Sequence, residues 1–158
     1  EVVVTVQPDA DLPQAVRSVG VQPTVVRTDA LWAEARSQLD EMLQEVDGTI
    51  GLVCPASLVD QAGDLATDPR IIPVTTMQAK GLEYDGAVVV DPERIVSETG
   101  NPTSGVRVLY VALTRPTQRL AVVGLRRPES PRNLQADQPA AADAGRAWSE
   151  ALWSHETC

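Results

Sequence analysis

Two stretches decide the fold of this chain: Val74-Thr-Thr-Met-Gln-Ala-Lys-Gly-Leu-Glu-Tyr-Asp-Gly-Ala-Val-Val-Val-Asp91 and Val106-Arg-Val-Leu-Tyr-Val-Ala-Leu-Thr-Arg-Pro-Thr-Gln-Arg-Leu-Ala-Val-Val123. Each joins a polar, turn-forming piece to a run of β-branched residues that is typical of a buried strand. The first places Gly81 and Glu83 just before its strand, and the second places Arg115 between a helix and a strand. Ligands of open α/β sheets bind at junctions between elements, so these residues are the first candidates for a functional site.

The segments around these stretches alternate between strand and helix patterns. Runs of β-branched residues predict strands over 1–6, 24–27, 49–54, 71–75, 87–91 and 119–124. Apolar residues at helical spacing predict helices over 11–19, 30–46 and 104–113, with a further short helix opening at Pro55. Such alternation favours parallel strands, so the predicted fold is an α/β three-layer sandwich with a mainly parallel sheet.

Local features add expectations that the structure can check. Thr28 or Asp29 is expected to cap the long helix, and 92–103 is expected to be a loop bounded by Pro and Gly. Tyr110 shares a helix face with apolar residues and is expected to pack in the core. Val88–Glu93 superficially resembles a magnesium-binding strand of nucleotide hydrolases, but we interpret it as a buried strand that ends in exposed acids.

The composition is that of one globular domain with an aliphatic core. The chain has 158 residues, 3% aromatic residues and no Phe, which suits a parallel sheet covered by helices. The formal net charge of -9 disfavours non-specific nucleic-acid binding, because that affinity comes from phosphate neutralisation. Between residues 105 and 132, six arginines accompany a single acid, which indicates either a surface for a triphosphate or partner, or a solvated charged face.

Cysteine and apolar usage favour a reducing, cytoplasmic setting. Cys54 and Cys158 give no disulfide framework, no secretory signal is visible, and no apolar run is long enough to span a bilayer. His155 and Cys158 offer fewer ligands than a zinc site uses, so no metal site is predicted. The chain begins without Met inside a predicted strand, and we expect it to be a piece of a larger protein.

Two motifs within these stretches resemble those of a known family. Lys80-Gly-Leu-Glu-Tyr-Asp85, followed by a valine strand, is similar to motif V of UvrD-like superfamily 1 helicases. Leu109-Tyr-Val-Ala-Leu-Thr-Arg115 is similar to their motif VI, and the two motifs follow in the family's order at a short separation. The resemblance implies that 1–124 is the C-terminal, second RecA-like domain of such a helicase. The composition shifts after Leu125 to a segment rich in Pro, Ala and Asp, which predicts a linker and tail over 125–158 with a short helix over 140–153.

The resemblance assigns roles to individual residues. Arg115 matches the motif VI arginine, a cationic finger that stabilises the transferring phosphoryl group; without the motif it is a surface arginine at a helix C-terminus. Glu83 matches the motif V glutamate, which lies at the nucleotide site and is associated with the ribose, and Gly81 allows a backbone conformation or close approach that a Cβ would block. Thr75 and Lys80 lie where the family makes backbone and DNA-phosphate contacts. The alternative interpretation is that Thr75 simply ends a strand and that Lys80 is a solvated surface lysine.

The chain contains no glycine-rich loop ending in Gly-Lys-Ser/Thr, so its expected partner is the N-terminal P-loop domain of the same parent chain. The resemblance implies ATP with Mg²⁺ as cofactor of the full-length parent, with none bound tightly by this fragment, and DNA as a further partner. Two residues depart from the family pattern. Met77 stands where many DNA-unwinding members carry His, and Pro116 stands where Ala is common.

Three functions remain open at this point. The first is the motif V and motif VI wall of the ATP site of a DNA helicase. The second is a non-enzymatic interaction module, because Met77 is reminiscent of the HelD (helicase IV-like) group, whose members act on RNA polymerase. The third is an α/β domain whose motif match is fortuitous. A P-loop upstream in the full-length sequence would favour the first.

Overall fold

The β-branched runs form one parallel sheet in the computed structural model, which describes residues 21–126. Its strands are β1 (Thr24–Thr28), β2 (Ile50–Cys54), β3 (Ile71–Thr75), β4 (Tyr84–Val90) and β5 (Pro116–Leu125). They lie side by side in the order β1-β5-β4-β2-β3, and every neighbouring pair is parallel. Helices cover both faces of the sheet, so the predicted three-layer α/β architecture is confirmed.

Within the described residues, four α-helices connect the strands. They are α1 (Leu31–Glu45), α2 (Val59–Gly63), α3 (Pro92–Ser97) and α4 (Pro102–Leu113), and a 3₁₀ turn over Ala56–Leu58 leads into α2. The strands and helices predicted within 21–126 are confirmed, with their ends shifted by three residues or fewer. The strand over 1–6, the helix over 11–19 and the tail beyond 126 lie outside the described residues.

The two faces of the sheet bury separate apolar clusters. Leu39 of α1 packs on one face with Val88 of β4, and Leu109 of α4 packs on the other face with Val89. Successive residues of a strand point to opposite faces, which is why the valine run of β4 is apolar at every position and is fully buried. Burial of a leucine such as Leu39 stabilises the fold by about 2 kcal/mol.

Two expectations about the helices are wrong. The residue that caps α1 is Ala30, which makes no side-chain cap, and the Thr28 hydroxyl instead accepts the Ala30 N–H at 3.0 Å. Tyr110 is half-buried and belongs to neither apolar cluster. The buried face of α4 is formed by Gly105, Val106, Leu109 and Ala112, so it is rotated away from the tyrosine.

The segment 92–103, expected to be a loop, contains α3 and the start of α4. Asp91 has a left-handed backbone (φ 50°, ψ 64°), and its carboxylate accepts the N–H three residues on at 3.3 Å. Asn101 caps α4 in the same way, accepting the N–H two residues on at 2.9 Å. Pro92 and Pro102 hold the first helical positions, where the missing N–H costs nothing. The residues interpreted as loop formers are therefore helix-start signals.

Asp91 at the end of β4 is buried and Glu93 is half-buried, whereas exposure of both acids was expected. Asp91 is 6% exposed, and the Glu93 side chain, 10% exposed, pairs with Arg27 at 3.6 Å. Burial raises the pKa of the Asp91 carboxyl, although the hydrogen bond from the Arg94 backbone acts in the opposite direction. Asp91 therefore serves as a helix cap at the cost of a partly desolvated charge.

Asp91→Asn should stabilise the protein at neutral pH. Asn keeps a cap oxygen and tolerates the left-handed backbone, and it removes the buried charge. Folding raises the pKa of Asp91, so at pH values above this raised pKa the ionised carboxylate lowers the free energy of unfolding. At pH values below the ordinary aspartate pKa the group is protonated in both states, and this loss of stability disappears. The gain should therefore vanish in acid, while Asp91→Ala should cost about 1–2 kcal/mol through the lost cap. Urea unfolding at neutral and acidic pH measures both, and a less stable Asp91→Asn at neutral pH would contradict this account.

Candidate functional site

The loops that precede β4 and β5 meet at the amino edge of the sheet. Tyr84 pairs with Pro116, and the Tyr84 N–H donates to the Arg115 carbonyl at 3.4 Å. Glu83 and Arg115 directly precede these paired residues, so their backbones lie side by side where the two strands begin. Gly81 lies in the loop that carries Glu83. The structure thus brings together the motif V and motif VI residues predicted for the nucleotide site.

The position of this edge corrects the sequence argument. Ligand crevices of open α/β sheets lie outside the carboxyl ends of the strands, whereas Glu83 and Arg115 lie at the amino ends of β4 and β5. The rule therefore does not apply to these junctions. This edge carries an acidic side chain, Glu83, and a basic side chain, Arg115, on the loops that lead into the adjacent strands β4 and β5.

The Arg115 side chain folds back onto the end of α4. Its Nε donates to the Val111 carbonyl at 3.2 Å, where the negative end of the helix dipole favours a cation. Arg115 is half-buried, and within residues 21–126 no hydrogen bond engages its two terminal nitrogens. Helix capping through Nε therefore leaves the outer side of the guanidinium fork available to an anion.

Gly81 and Glu83 lie on the exposed part of the loop before β4. Gly81 has φ 86°, in the left-handed region that L side chains rarely adopt, and a Cβ there would meet no atom within 4 Å. The backbone conformation, and not close approach by a neighbour, is therefore what requires glycine here. Glu83 is exposed, so its carboxylate is open to a ligand.

Thr75 and Lys80 are not part of this edge pair. Thr75 is the last residue of β3, at the opposite edge of the sheet. Its hydroxyl accepts the Gln78 N–H at 3.3 Å, and the Gln78 side chain accepts the Thr75 N–H at 2.9 Å. This reciprocal pair has the form of a capping box, signalled by Thr-x-x-Gln in the sequence. Lys80 is exposed in the turn that follows.

The polar contacts of two side chains near the edge, Asp85 and Arg119, had no sequence prediction. Asp85 accepts hydrogen bonds from the Thr49 N–H at 3.0 Å and from the Gln118 side chain at 3.0 Å. Arg119 pairs with Glu45 of α1. Asp85 stands at the start of a buried strand, where a polar group needs a hydrogen-bond partner. This position is the sequence signal that could have predicted its contacts.

Two kinds of site are missing from the described part of the chain. Residues 21–126 contain no group of three or more His, Cys, Asp or Glu side chains placed to hold a metal ion. Within the same range, every helix is too short or too polar to cross a membrane. His155 and Cys158 lie outside this range.

Comparison with known proteins gives a limited result. No family model matches the chain, and no curated protein matches it. Among solved structures, it is similar to the C-terminal domain of a possible DNA helicase from Lactobacillus plantarum WCFS1, with a TM-score of 0.46 and 20% sequence identity, over 65% of this chain and 73% of that one. A likeness of this degree assigns neither a family nor a function.

Proposed function

We propose that this chain is the C-terminal, RecA-like domain of a UvrD-like ATP-dependent DNA helicase. In this proposal its amino edge is one wall of an ATP site, and the P-loop domain of the same parent chain is the other. The observation that carries the proposal is the meeting of Glu83 and Arg115, joined through the backbone bond from Tyr84 to Arg115. Two motifs that resemble one family thereby supply neighbouring residues whose side chains are of the kinds that nucleotide chemistry needs.

The residues at this edge fit a nucleotide. Arginine stays charged and can bind phosphate oxygens through two nitrogens, and Arg115 has its outer nitrogens open while Nε is held by Val111. The exposed Glu83 carboxylate can accept hydrogen bonds from ribose hydroxyls. ATP with Mg²⁺, bound mainly by the P-loop domain, would supply the phosphoryl group on which charge develops. Arg115 would stabilise that charge and Glu83 would position the sugar.

The contacts with DNA belong to the same proposal. Lys80 is exposed and can pair with a DNA phosphate. The Thr75 hydroxyl already accepts the Gln78 N–H, so it would bind a DNA phosphate as a hydrogen-bond donor. We place the parent in the cytoplasm, on the cysteine usage of the sequence.

A second candidate is an interaction module of a helicase-like factor that acts on RNA polymerase. It is favoured by the side chains of the crossover between β3 and β4, where Met77 is 68% exposed and Leu82 is 47% exposed. Exposed apolar side chains suit a protein surface better than a phosphate backbone. Full ATP turnover by a parent carrying Arg115→Ala would favour this candidate over the first.

The isolated chain should show no ATP hydrolysis and at most weak nucleotide affinity. The reason is that the proposed site needs a P-loop, and the sequence contains none. Phosphate release and a nucleotide titration on the purified chain measure this. Turnover that persists through repurification and co-purifies with the protein would contradict a split site.

A further inference from the structure

We infer that Asp85 is a positioning residue that fixes the spacing of Glu83 and Arg115. This inference rests on the proposed function, because it concerns the geometry of the same edge. Asp85 touches neither proposed ligand group. It acts through the strand ends that carry Glu83 and Arg115.

The Asp85 carboxylate joins three strands at their amino ends. Its Oδ2 accepts the N–H of Thr49, just before β2, at 3.0 Å, and its Oδ1 accepts the Gln118 side chain of β5 at 3.0 Å. The Asp85 N–H also donates to the Thr49 carbonyl at 2.9 Å. Asp85 itself belongs to β4, so one side chain links β4 to both neighbouring strands.

The contact to Gln118 lies at an irregularity of the sheet. Tyr84 pairs with Pro116 but Gly86 pairs with Arg119, so one residue of β4 lies opposite two residues of β5 between these pairs. The extra residue of β5 lies opposite Asp85, as in a β-bulge. Bulges re-aim nearby side chains and are frequent next to functional sites. Here the bulge immediately follows Arg115 and Pro116.

The surroundings of Asp85 are built for its carboxylate. An ideal Cβ at Gly48 would lie 1.7 Å from the Asp85 Oδ2, so the carboxylate fills the space that a side chain would take. The backbone bond from Tyr84 to the Arg115 carbonyl is long, at 3.4 Å. The Asp85 bridge to Gln118 lies one residue further along β4 and adds a side-chain link between the same two strands.

Loss of this bridge should move Arg115 and lower turnover. In the full-length ATPase, Asp85→Ala should reduce kcat on the order of tenfold, because small displacements of an oriented group are costly. Asp85→Asn should restore most of it, since its oxygen can accept from Thr49 and its amide can donate to a flipped Gln118 side chain. Val90→Ala is the control for a merely structural defect, because it leaves a cavity at the far end of the same strand. It should keep kcat near normal.

The decisive measurement is a double-mutant comparison of Asp85→Ala and Arg115→Ala by steady-state ATP hydrolysis, with KM measured alongside. If Asp85 acts through Arg115, the double variant should turn over no more slowly than Arg115→Ala alone. The inference about Asp85 would be overturned if the two substitutions lowered kcat additively, or if Asp85→Ala kept a normal kcat. In either case a low kcat for Arg115→Ala would still support the proposed function. Normal turnover in Arg115→Ala would overturn both. Should Asp85→Ala fail to fold, Gln118→Ala removes the β5 contact alone, and unchanged kcat there would overturn the inference.

Discussion

Arg115→Ala in the full-length parent should lower ATP turnover about a hundredfold or more, with a far smaller change in ATP affinity. A cationic finger acts mainly where charge develops in the transition state, so its loss reduces kcat and leaves ground-state binding nearly intact. In the proposed role, Arg115 would be oriented in advance of ligand binding. The bond from Nε to the Val111 carbonyl holds the guanidinium before any ligand arrives.

Arg119→Ala is the matched control for this variant. Arg119 lies on the strand that follows Arg115 and carries the same charge, but it pairs with Glu45 of α1. Its loss should cost a surface ion pair, about 1 kcal/mol or less, with turnover nearly unchanged. If Arg119→Ala lost turnover while Arg115→Ala retained it, the alignment of motif VI with this chain would be wrong.

Glu83→Ala separates binding from chemistry at the same edge. A ribose contact is present in the ground state as well as in the transition state, so its removal should raise KM more than it lowers kcat. Steady-state kinetics on the Arg115 and Glu83 variants should therefore give opposite patterns. Equal patterns would contradict the division of roles.

Gly105→Ala should destabilise the domain by about 1–3 kcal/mol, the range for overpacking a well-packed interior. An ideal Cβ at Gly105 would lie 2.6 Å from the Val96 carbonyl oxygen and 2.8 Å from the Val96 Cα. These are backbone atoms of α3, so they cannot move aside as a flexible side chain could. The substitution should push α4 away from α3 and disturb the helix that directly precedes Thr114 and Arg115.

Gly63→Ala is the control for the intrinsic effect of the same substitution. Gly63 ends α2, and a Cβ there would meet no atom within 4 Å. Alanine should therefore stabilise by up to about 1 kcal/mol through helix propensity and the loss of unfolded-state freedom. Urea unfolding of the two variants should shift the midpoint in opposite directions. An unchanged midpoint for Gly105→Ala would show that α3 and α4 do not pack as closely as described.

The fold was predictable because its signals are local. The valine run of β4 and the helical spacing of Ala35, Leu39 and Met42 in α1 need no knowledge of their partners. The helix α3 was missed because it has only six residues and begins with Pro92, which reads as a loop when the cap at Asp91 is not recognised. The burial of Asp91 follows from that cap and was missed with it.

The candidate site was predictable only in part. The motifs named Glu83 and Arg115, but their proximity depends on β4 and β5 being neighbours, which is a property of strand order. The edge on which they lie depends on strand direction, and the bridge from Asp85 to Thr49 and Gln118 crosses three strands. Local sequence patterns do not predict contacts between residues on different strands, because these contacts depend on strand order and direction.

Reconstitution of ATP hydrolysis from two chains tests the central claim most directly. The measurement mixes this chain with the separately purified P-loop domain of its parent and records phosphate release against each chain alone. The account predicts turnover only in the mixture, and loss of that turnover when the chain carries Arg115→Ala but not Arg119→Ala. Equal turnover by the P-loop domain alone and by the unmutated mixture, or undiminished turnover when the chain carries Arg115→Ala, would contradict the claim that the edge formed by Glu83 and Arg115 completes an ATP site.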